Sequence, residues 1–414
     1  MLKFTNGIIL DKDFNLVKKD VYVEGNRIVS VGGELQANET YDLKGNLLMP
    51  SFKNAHTHSA MTFARSYADG LPLMEWLTTK IFPMEAMLTG DDIYHLSKLA
   101  FLEYLTSGIS ACFDMYYFPE DMAKASVELG FRTVMTCGIN NFKESIDKLE
   151  EYYKSYNNYN ELISYKLGFH AEYTTSLERM TEIAQVAEKY KAPVFVHSSE
   201  TKSEVEGCIE RYGKTPTELF ESIGLFNYGG GAYHSVWVTD SDLEIYKKRG
   251  VWAVINAGSN CKLASGIAPV IKMIDKGINL AVGTDGPSSN NALDMFREMY
   301  LICATQKIND MDASACRAED VLKMATVGSA HCMGLYDCDV IDEGKTADLI
   351  VIDLHRPNMQ PINDIKNNLV YSGSKENVLM TMINGKILYD NREFIGIDAE
   401  EIYRNAQAVI DRIG

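Results

Sequence analysis

Paired cysteines are missing from this chain: its 8 Cys are scattered singly, with no Cys-x-x-Cys and no short spaced framework. That excludes thiolate zinc knots and a disulfide-stapled scaffold, and it predicts reduced thiols in a cytoplasmic protein. Long apolar runs are missing too. Nothing approaches the ~18 residues that a spanning helix needs. The opening Met1-Leu2-Lys3-Phe4-Thr5-Asn6-Gly7 reaches Asp11, Lys12 and Asp13 without the apolar core of a secretory leader. Positive charge is scarce, with 40 Lys+Arg against 57 Asp+Glu and a formal charge of −17. Such a surface repels phosphate backbones and anionic lipid faces. The expected partner is therefore a small-molecule substrate, with no nucleic acid and no membrane, and homo-oligomerisation stays open.

Several catalytic signatures are absent as well. There is no His-Glu-x-x-His, no His-x-Glu with Pro-Cys-x-x-Cys, no Gly-x-Ser-x-Gly and no Walker loop. Zincin, cytidine-deaminase-type, nucleophile-elbow and P-loop chemistry are excluded by inspection.

What the chain does hold is a recurring unit: a short β-branched apolar run, a polar turn, then a helical pattern. Strands are predicted at 47–56, 109–115, 132–139, 165–171, 193–197, 231–236, 251–256 and 279–283, with helices such as 91–107, 177–190, 202–223 and 292–306 between them. That alternation predicts an α/β fold, a parallel (β/α)8 barrel of the TIM type. An open doubly wound sheet is the runner-up, but no Gly-x-Gly-x-x-Gly follows the first strand. The ends read differently. Val23-Glu24-Gly25-Asn26-Arg27-Ile28 and Ile383-Asn384-Gly385-Lys386-Ile387 are matching hairpin signals. They predict a small β-sandwich built by residues 1–48 with 340–395, the barrel at 49–339, and a closing helix within 396–414 capped by Asp398.

In a barrel, side chains at the C-terminal ends of the strands converge on one mouth. His56 and His58 end the first predicted strand, and residues two apart share a face, so both imidazoles can reach one ion. His170 ends the fourth strand, His197 the fifth and His234 the sixth, and Asp285 follows the eighth, whereas His95 and His331 sit on helices. Taken singly, each histidine reads as a core or surface residue; the set on one rim predicts a metal or catalytic site. Glu200, three residues past His197, can then reach water held by the same ion, as a general acid–base must. Without the histidines it reads as a solvated loop residue, and Gly283-Thr284-Asp285-Gly286 as a plain turn. Lys166 falls at the start of the fourth strand, the wrong end for a carboxylated lysine bridging two ions, so one divalent transition-metal ion per chain is expected.

These residues sit within longer stretches: Asn54-Ala55-His56-Thr57-His58, Leu71-Pro72-Leu73-Met74-Glu75-Trp76-Leu77, His197-Ser198-Ser199-Glu200-Thr201, the run 259–269, the run 283–291 and Gly344-Lys345-Thr346-Ala347-Asp348-Leu349. Together they resemble the amidohydrolase superfamily, in particular its 5-methylthioadenosine/S-adenosylhomocysteine deaminase group. The resemblance implies zinc, with iron as the alternative, held by His56, His58, His197 and Asp285. It also implies Glu200 as proton shuttle, His234 as a polarising group, and Trp76, Glu85, His170 and Ser289 at the substrate. Trp76 alone would read as ordinary helix packing. The implied reaction is hydrolytic deamination of an adenine nucleoside. Rival readings are a deaminase or chlorohydrolase acting on another amino-heteroaromatic ring (guanine, pterin or triazine), and a non-catalytic homologue, against which the intact ligand set speaks.

Three stretches depart from the group's pattern near the mouth: Tyr233-His234-Ser235-Val236-Trp237, Ile255-Asn256-Ala257 and Thr136-Cys137-Gly138. Cys137 stands where relatives often carry arginine, and a thiol cannot pair with a carboxylate. Weak capture of a homocysteine tail, and better turnover of tail-less nucleosides, are therefore expected unless Lys143 or Lys148 replaces the cation.

Overall fold

The computed structural model describes residues 1–67, 69–141 and 144–413. Eight parallel strands form the barrel wall: β1 (Phe52–Thr57), β2 (Ile109–Met115), β3 (Arg132–Thr136), β4 in two halves (Ile163–Tyr165 and Leu167–Ala171), β5 (Val194–Ser198), β6 (Gly230–His234), β7 (Val251–Ile255) and β8 (Asn279–Val282). The first half of β4 pairs with β3 and the second with β5. The ring closes where the Asp285 N–H donates to the His56 carbonyl at 3.0 Å and the Thr284 N–H to Asn54 Oδ1 at 2.9 Å. Nearly every barrel-strand residue is buried, because the interior packs on one face and the outer helices on the other. Ala55, Ala111, Phe113, Val134, Phe195, Tyr233, Val254 and Ala281 fill the interior.

Local chemistry sets the helix boundaries. Capping boxes at Thr89/Asp92, Thr201/Glu204, Thr215/Glu218 and Thr239/Asp242 open four of the helices. The helix expected over 202–223 is two, Lys202–Tyr212 and Pro216–Ser222. Gly213 stops the first at φ +68 and Pro216 starts the second. The strand expected over 47–56 also divides. Leu47–Pro50 pairs antiparallel with Leu349–Ile352 outside the barrel, and only Phe52–Thr57 enters it. Continuous hydrophobicity hid the change of sheet at Ser51.

Outside the barrel, strands from both chain ends form a 4-stranded and a 7-stranded sheet. Phe4, Ile9, Val21, Leu48, Leu349, Val351 and Met380 lie between them as a sandwich core. The Asn384-Gly385 turn takes φ +52 and +76, the left-handed pair that a two-residue hairpin demands. Its tip meets the other predicted hairpin, where Asn26 Nδ2 donates to Asn384 Oδ1 at 3.0 Å. The helix Ala399–Ile413 opens at Asp398, whose Oδ1 accepts from the Glu401 N–H at 2.9 Å. Its Ala406, Val409 and Ile413 pack into a cluster with Met61, Trp76, Ile81 and Met84, behind the wall of the barrel mouth. No helix among the described residues is long and apolar enough to cross a membrane.

Candidate metal centre

The strands deliver the predicted histidines to one point. His58 Nδ1 lies 2.7 Å from the Met115 carbonyl, and His197 Nδ1 lies 2.7 Å from the His170 carbonyl. A carbonyl only accepts, so each ring carries a proton on Nδ1 and turns its Nε2 inward. His56 Nε2 stands 3.1 Å from His197 Nε2, while His56 Nε2 and His58 Nε2 lie 3.4 and 3.2 Å from the same Asp285 Oδ1. The other carboxylate oxygen, Asp285 Oδ2, accepts from Ser259 Oγ at 2.6 Å and Ser289 Oγ at 2.7 Å. Asp285 is thus steered so that Oδ1 faces the imidazoles.

This donor set fits a transition-metal ion. Ligands bound at ~2.0–2.1 Å stand roughly 3.0–3.4 Å from one another, the spacing found for the pairs His56–His197, His56–Asp285 and His58–Asp285. His234 also comes close: its ring, with His56, His197 and Asp285, offers atoms all within 4.8 Å. Proximity alone would admit it as a ligand in place of His58. The 3.2 Å approach of His58 Nε2 to Asp285 Oδ1 favours His58, and His234 has other neighbours, with Nδ1 beside Asn260 Oδ1 at 2.8 Å and Nε2 at 3.8 Å from Glu200 Oε2.

Burial and charge divide the group electrostatically. Burial pushes the His56 ring down to about 3 and His170 to about 4, and drives His197 well below its ordinary value. His58 pays the same burial penalty, but hydrogen bonding and charge from Asp285 outweigh it and hold the ring at about 9. Asp285 stays well below the carboxylate range, since His56 and His58 overcome its desolvation. Glu200 is buried, and desolvation raises it despite a hydrogen bond from Ser265 Oγ at 3.3 Å. A buried carboxyl with a raised pKa suits proton transfer near neutrality.

The backbone is strained where these side chains leave the strands. Ser199, His234, Ser235 and Asp285 all take positive φ, from 49° to 72°, a conformation that non-glycine residues adopt at a cost and that gathers at working sites. Glu204 secures one of these turns: its carboxylate accepts from the N–H groups of Ser199 and Glu200 at 2.8 Å each.

Above the histidines opens a cavity. His58, Trp76, Glu85, His170, His197, Glu200, His234, Asp285 and Ser289 all line it, and His56 lies buried beneath. The expected ligands, proton shuttle, polarising histidine and substrate contacts therefore meet at one place. Glu85 accepts a hydrogen bond from the Tyr116 hydroxyl at 2.7 Å, and His170 Nδ1 pairs with Thr174 Oγ1 at 2.9 Å. Ser289 turns its hydroxyl to Asp285 and the Gly286 carbonyl, so its visible contact is with the centre.

Sequence reasoning missed Ser259, Asn260, Glu204 and the tyrosine walls Tyr116, Tyr117 and Tyr173. Only Glu204 carried a local signal, the Thr-x-x-Glu capping box. The departures resolve differently from one another. Tyr233 stacks on His56 at 3.7 Å between ring centroids. Trp237 donates from Nε1 to the Ser265 carbonyl at 2.7 Å, on the segment that touches Glu200. Cys137 corrects an expectation. Its thiol is buried against the Gly168 carbonyl at 3.5 Å, among residues between barrel and helices, and Gly138 lines the cavity instead. Alternation along the strand turns position 137 away, so the loss of an arginine there does not bear on the cavity. Lys143 lies outside the described residues, and Lys148 pairs with Glu151 at 2.9 Å on an exposed helix face.

Lys166 separates the two halves of β4. Its Nζ reaches Gly334, away from the histidines, so it cannot bridge a second ion at the mouth.

The amidohydrolase family model matches residues 47–388. The chain belongs to the amidohydrolase family. It is accordingly a metal-dependent hydrolase acting on C–N bonds. It is 40% identical over 415 residues to the 5-methylthioadenosine/S-adenosylhomocysteine deaminase of Caldanaerobacter subterraneus, covering 97% of this chain and 96% of the relative. It is 36% identical to the 5′-deoxyadenosine deaminase of Methanococcoides burtonii, over 99% and 97% of the two chains. The crystal structure of a zinc-bound adenosine deaminase from Xanthomonas campestris superimposes with a TM-score of 0.95 at 31% identity, over 100% of this chain and 98% of that one.

Proposed function

We propose that this protein deaminates adenine nucleosides hydrolytically, using one divalent ion, zinc or alternatively iron, held by His56, His58, His197 and Asp285. The carrying observation is the convergence of the His56 and His58 Nε2 atoms on Asp285 Oδ1, beside a buried Glu200, at the floor of a cavity walled by Trp76, Tyr116, Tyr117 and Tyr173. When bound, the ion supplies Lewis acidity, which lowers the pKa of water from ~15.7 to about 7.

The protein's own groups do the rest. Glu200 takes a proton from the attacking water and delivers it to the ring nitrogen beside the amino-bearing carbon. His234, fixed by Asn260, orients the oxygen as it adds to that carbon, and Asp285 offsets the positive charge around it. A second proton passed through Glu200 lets ammonia leave and a carbonyl remain. A carboxylate beside the ligand set, and not in it, suits this shuttle between oxygen and nitrogen. Trp76 offers a ring face to the base, Glu85 an acceptor for the paired ribose hydroxyls, and His170 a further polar contact. The similarity to deaminases of adenosine, 5′-deoxyadenosine and 5-methylthioadenosine/S-adenosylhomocysteine supports the nucleoside reading.

Tail-less substrates are favoured over S-adenosylhomocysteine. Among the described residues lining the cavity none is Lys or Arg, so a zwitterionic tail would meet an aromatic wall with no cation among those residues to pair with its carboxylate. Ammonia release measured across adenosine, 5′-deoxyadenosine, methylthioadenosine, S-adenosylhomocysteine, adenine, guanine and an aminotriazine tests the reading. Tail-less nucleosides should give the highest kcat/KM. Preference for S-adenosylhomocysteine would overturn the tail argument, and activity on free bases or triazines alone would overturn the nucleoside assignment.

A further inference from the structure

Glu298 is fully buried and uncharged partners surround it, yet it plays no part in the proton transfers above. It lies on the helix Met295–Asp310, on the outer side of the loops that follow β7 and β8. Its Oε2 accepts from the Gly258 N–H at 2.9 Å, and its Oε1 accepts from Asn290 Nδ2 at 2.7 Å. Asn290 Nδ2 also donates to the Thr284 carbonyl at 2.7 Å. Each end of this bridge adjoins a group that touches the centre. Gly258 precedes Ser259, which holds Asp285 Oδ2, and Asn260, which holds His234 Nδ1. Thr284 precedes Asp285, and Asn290 follows Ser289, the second holder of Asp285 Oδ2.

We infer that Glu298 is a positioning residue for the metal centre, locking the post-β7 and post-β8 loops together so that Asp285 and His234 hold their orientations. Resting on the ligand set proposed above, the inference concerns how firmly the ion is gripped and how fast the bound substrate turns over. Glu85, Trp76 and His170 stand on other elements, so substrate capture is left nearly alone. The close fit supports a tuned bridge: a Cβ at Gly258 would stand 2.3 Å from Glu298 Oε1 and 2.5 Å from Asn290 Oδ1. Burial also raises the Glu298 carboxyl to about 8, against the hydrogen bonds from Gly258 and Asn290.

In Glu298→Gln no placement of the amide preserves all three bonds, because an N–H₂ must face either the Gly258 N–H or the Asn290 amide. Gly258→Ala disturbs the same bridge from its other end. Zinc affinity by competition with a chromophoric chelator, and kcat and KM on 5′-deoxyadenosine with the zinc-loaded proteins, read the effect. Both variants should bind zinc about 10–100-fold more weakly and lose kcat with KM little changed. Glu298→Asp, whose shorter side chain restores a carboxylate, should recover part of both. Variants that fold less stably but keep wild-type zinc affinity and kcat would reduce Glu298 to packing and overturn the inference. A wild-type protein that binds no zinc would instead overturn the ligand set itself.

Discussion

The barrel buries charge at both ends and treats it in opposite ways. At the bottom, Asp348 is 1% exposed between two cations. Arg132 grips it with Nε at 3.0 Å and a second nitrogen at 3.1 Å, the Asn384 N–H donates at 2.8 Å, and Lys53 Nζ stands at 3.9 Å. Both carboxylate oxygens are engaged within the chain, and the cluster ties β1 and β3 to the outer sheet. At the mouth, Asp285 is also buried, but its Oδ1 faces the Nε2 atoms of His56 and His58 at 3.4 and 3.2 Å, and no Lys or Arg among the described residues pairs with it. A closed cluster is a fastener; an open one is a socket. The contrast agrees with the rule that the bottom of such a barrel serves stability and the top serves chemistry.

Breaking the two ends should therefore fail differently. The largest effect belongs to the mouth. Glu200→Gln keeps its volume and its place but cannot take a proton, and turnover should fall by ~10²–10⁴-fold while zinc content and thermal midpoint stay near wild type. An active Glu200→Gln protein would move the shuttle elsewhere, His234 being next in reach. The bottom comes second. Asp348→Ala strands Lys53 and Arg132 without their anion, which should cost about 3–5 kcal/mol of stability. Urea unfolding would show that loss, and kcat per folded, zinc-loaded chain should be unchanged. A fall in kcat without a fall in stability would erase the distinction between the ends.

The smallest effect sharpens the comparison through pH. Burial works against the charged form of Asp348, but Arg132 and Lys53 prevail and hold it below its ordinary value. A group with a lowered folded pKa contributes stability fully above its unfolded pKa, ~3.9 for Asp, and loses it as pH falls through the lower folded value. The stability gap between wild type and Asp348→Asn should thus be constant from pH 7 to 5 and shrink only below about pH 4. A gap already closing between pH 7 and 5 would mean that the ion pair is weaker than its geometry implies.

What was legible in the sequence follows the same division. His56, His58, His197, His234 and Asp285 could be found because barrel strands place their last residues on one rim, so a list of strand ends is already a list of neighbours. Asp348 sat in a recognisable stretch, but its partners Lys53 and Arg132 lie some 295 and 216 positions away, and nothing local announces such a pairing. Glu298 was silent for the same reason. Cys137 misled because one residue of alternation decides whether a strand side chain faces the cavity or the helices. The split at Ser51 and the break at Gly213 were readable only as turn chemistry inside otherwise continuous patterns.

Metal content and activity measured on one sample test the central claim most directly. Elemental analysis of the purified protein should find close to one transition-metal ion per chain, and ammonia release from 5′-deoxyadenosine should vanish on chelation and return with zinc. The same preparation of a His56→Ala, His58→Ala variant should hold no ion and release no ammonia. Full activity after the ion is removed, or two tightly held ions per chain, would contradict the account.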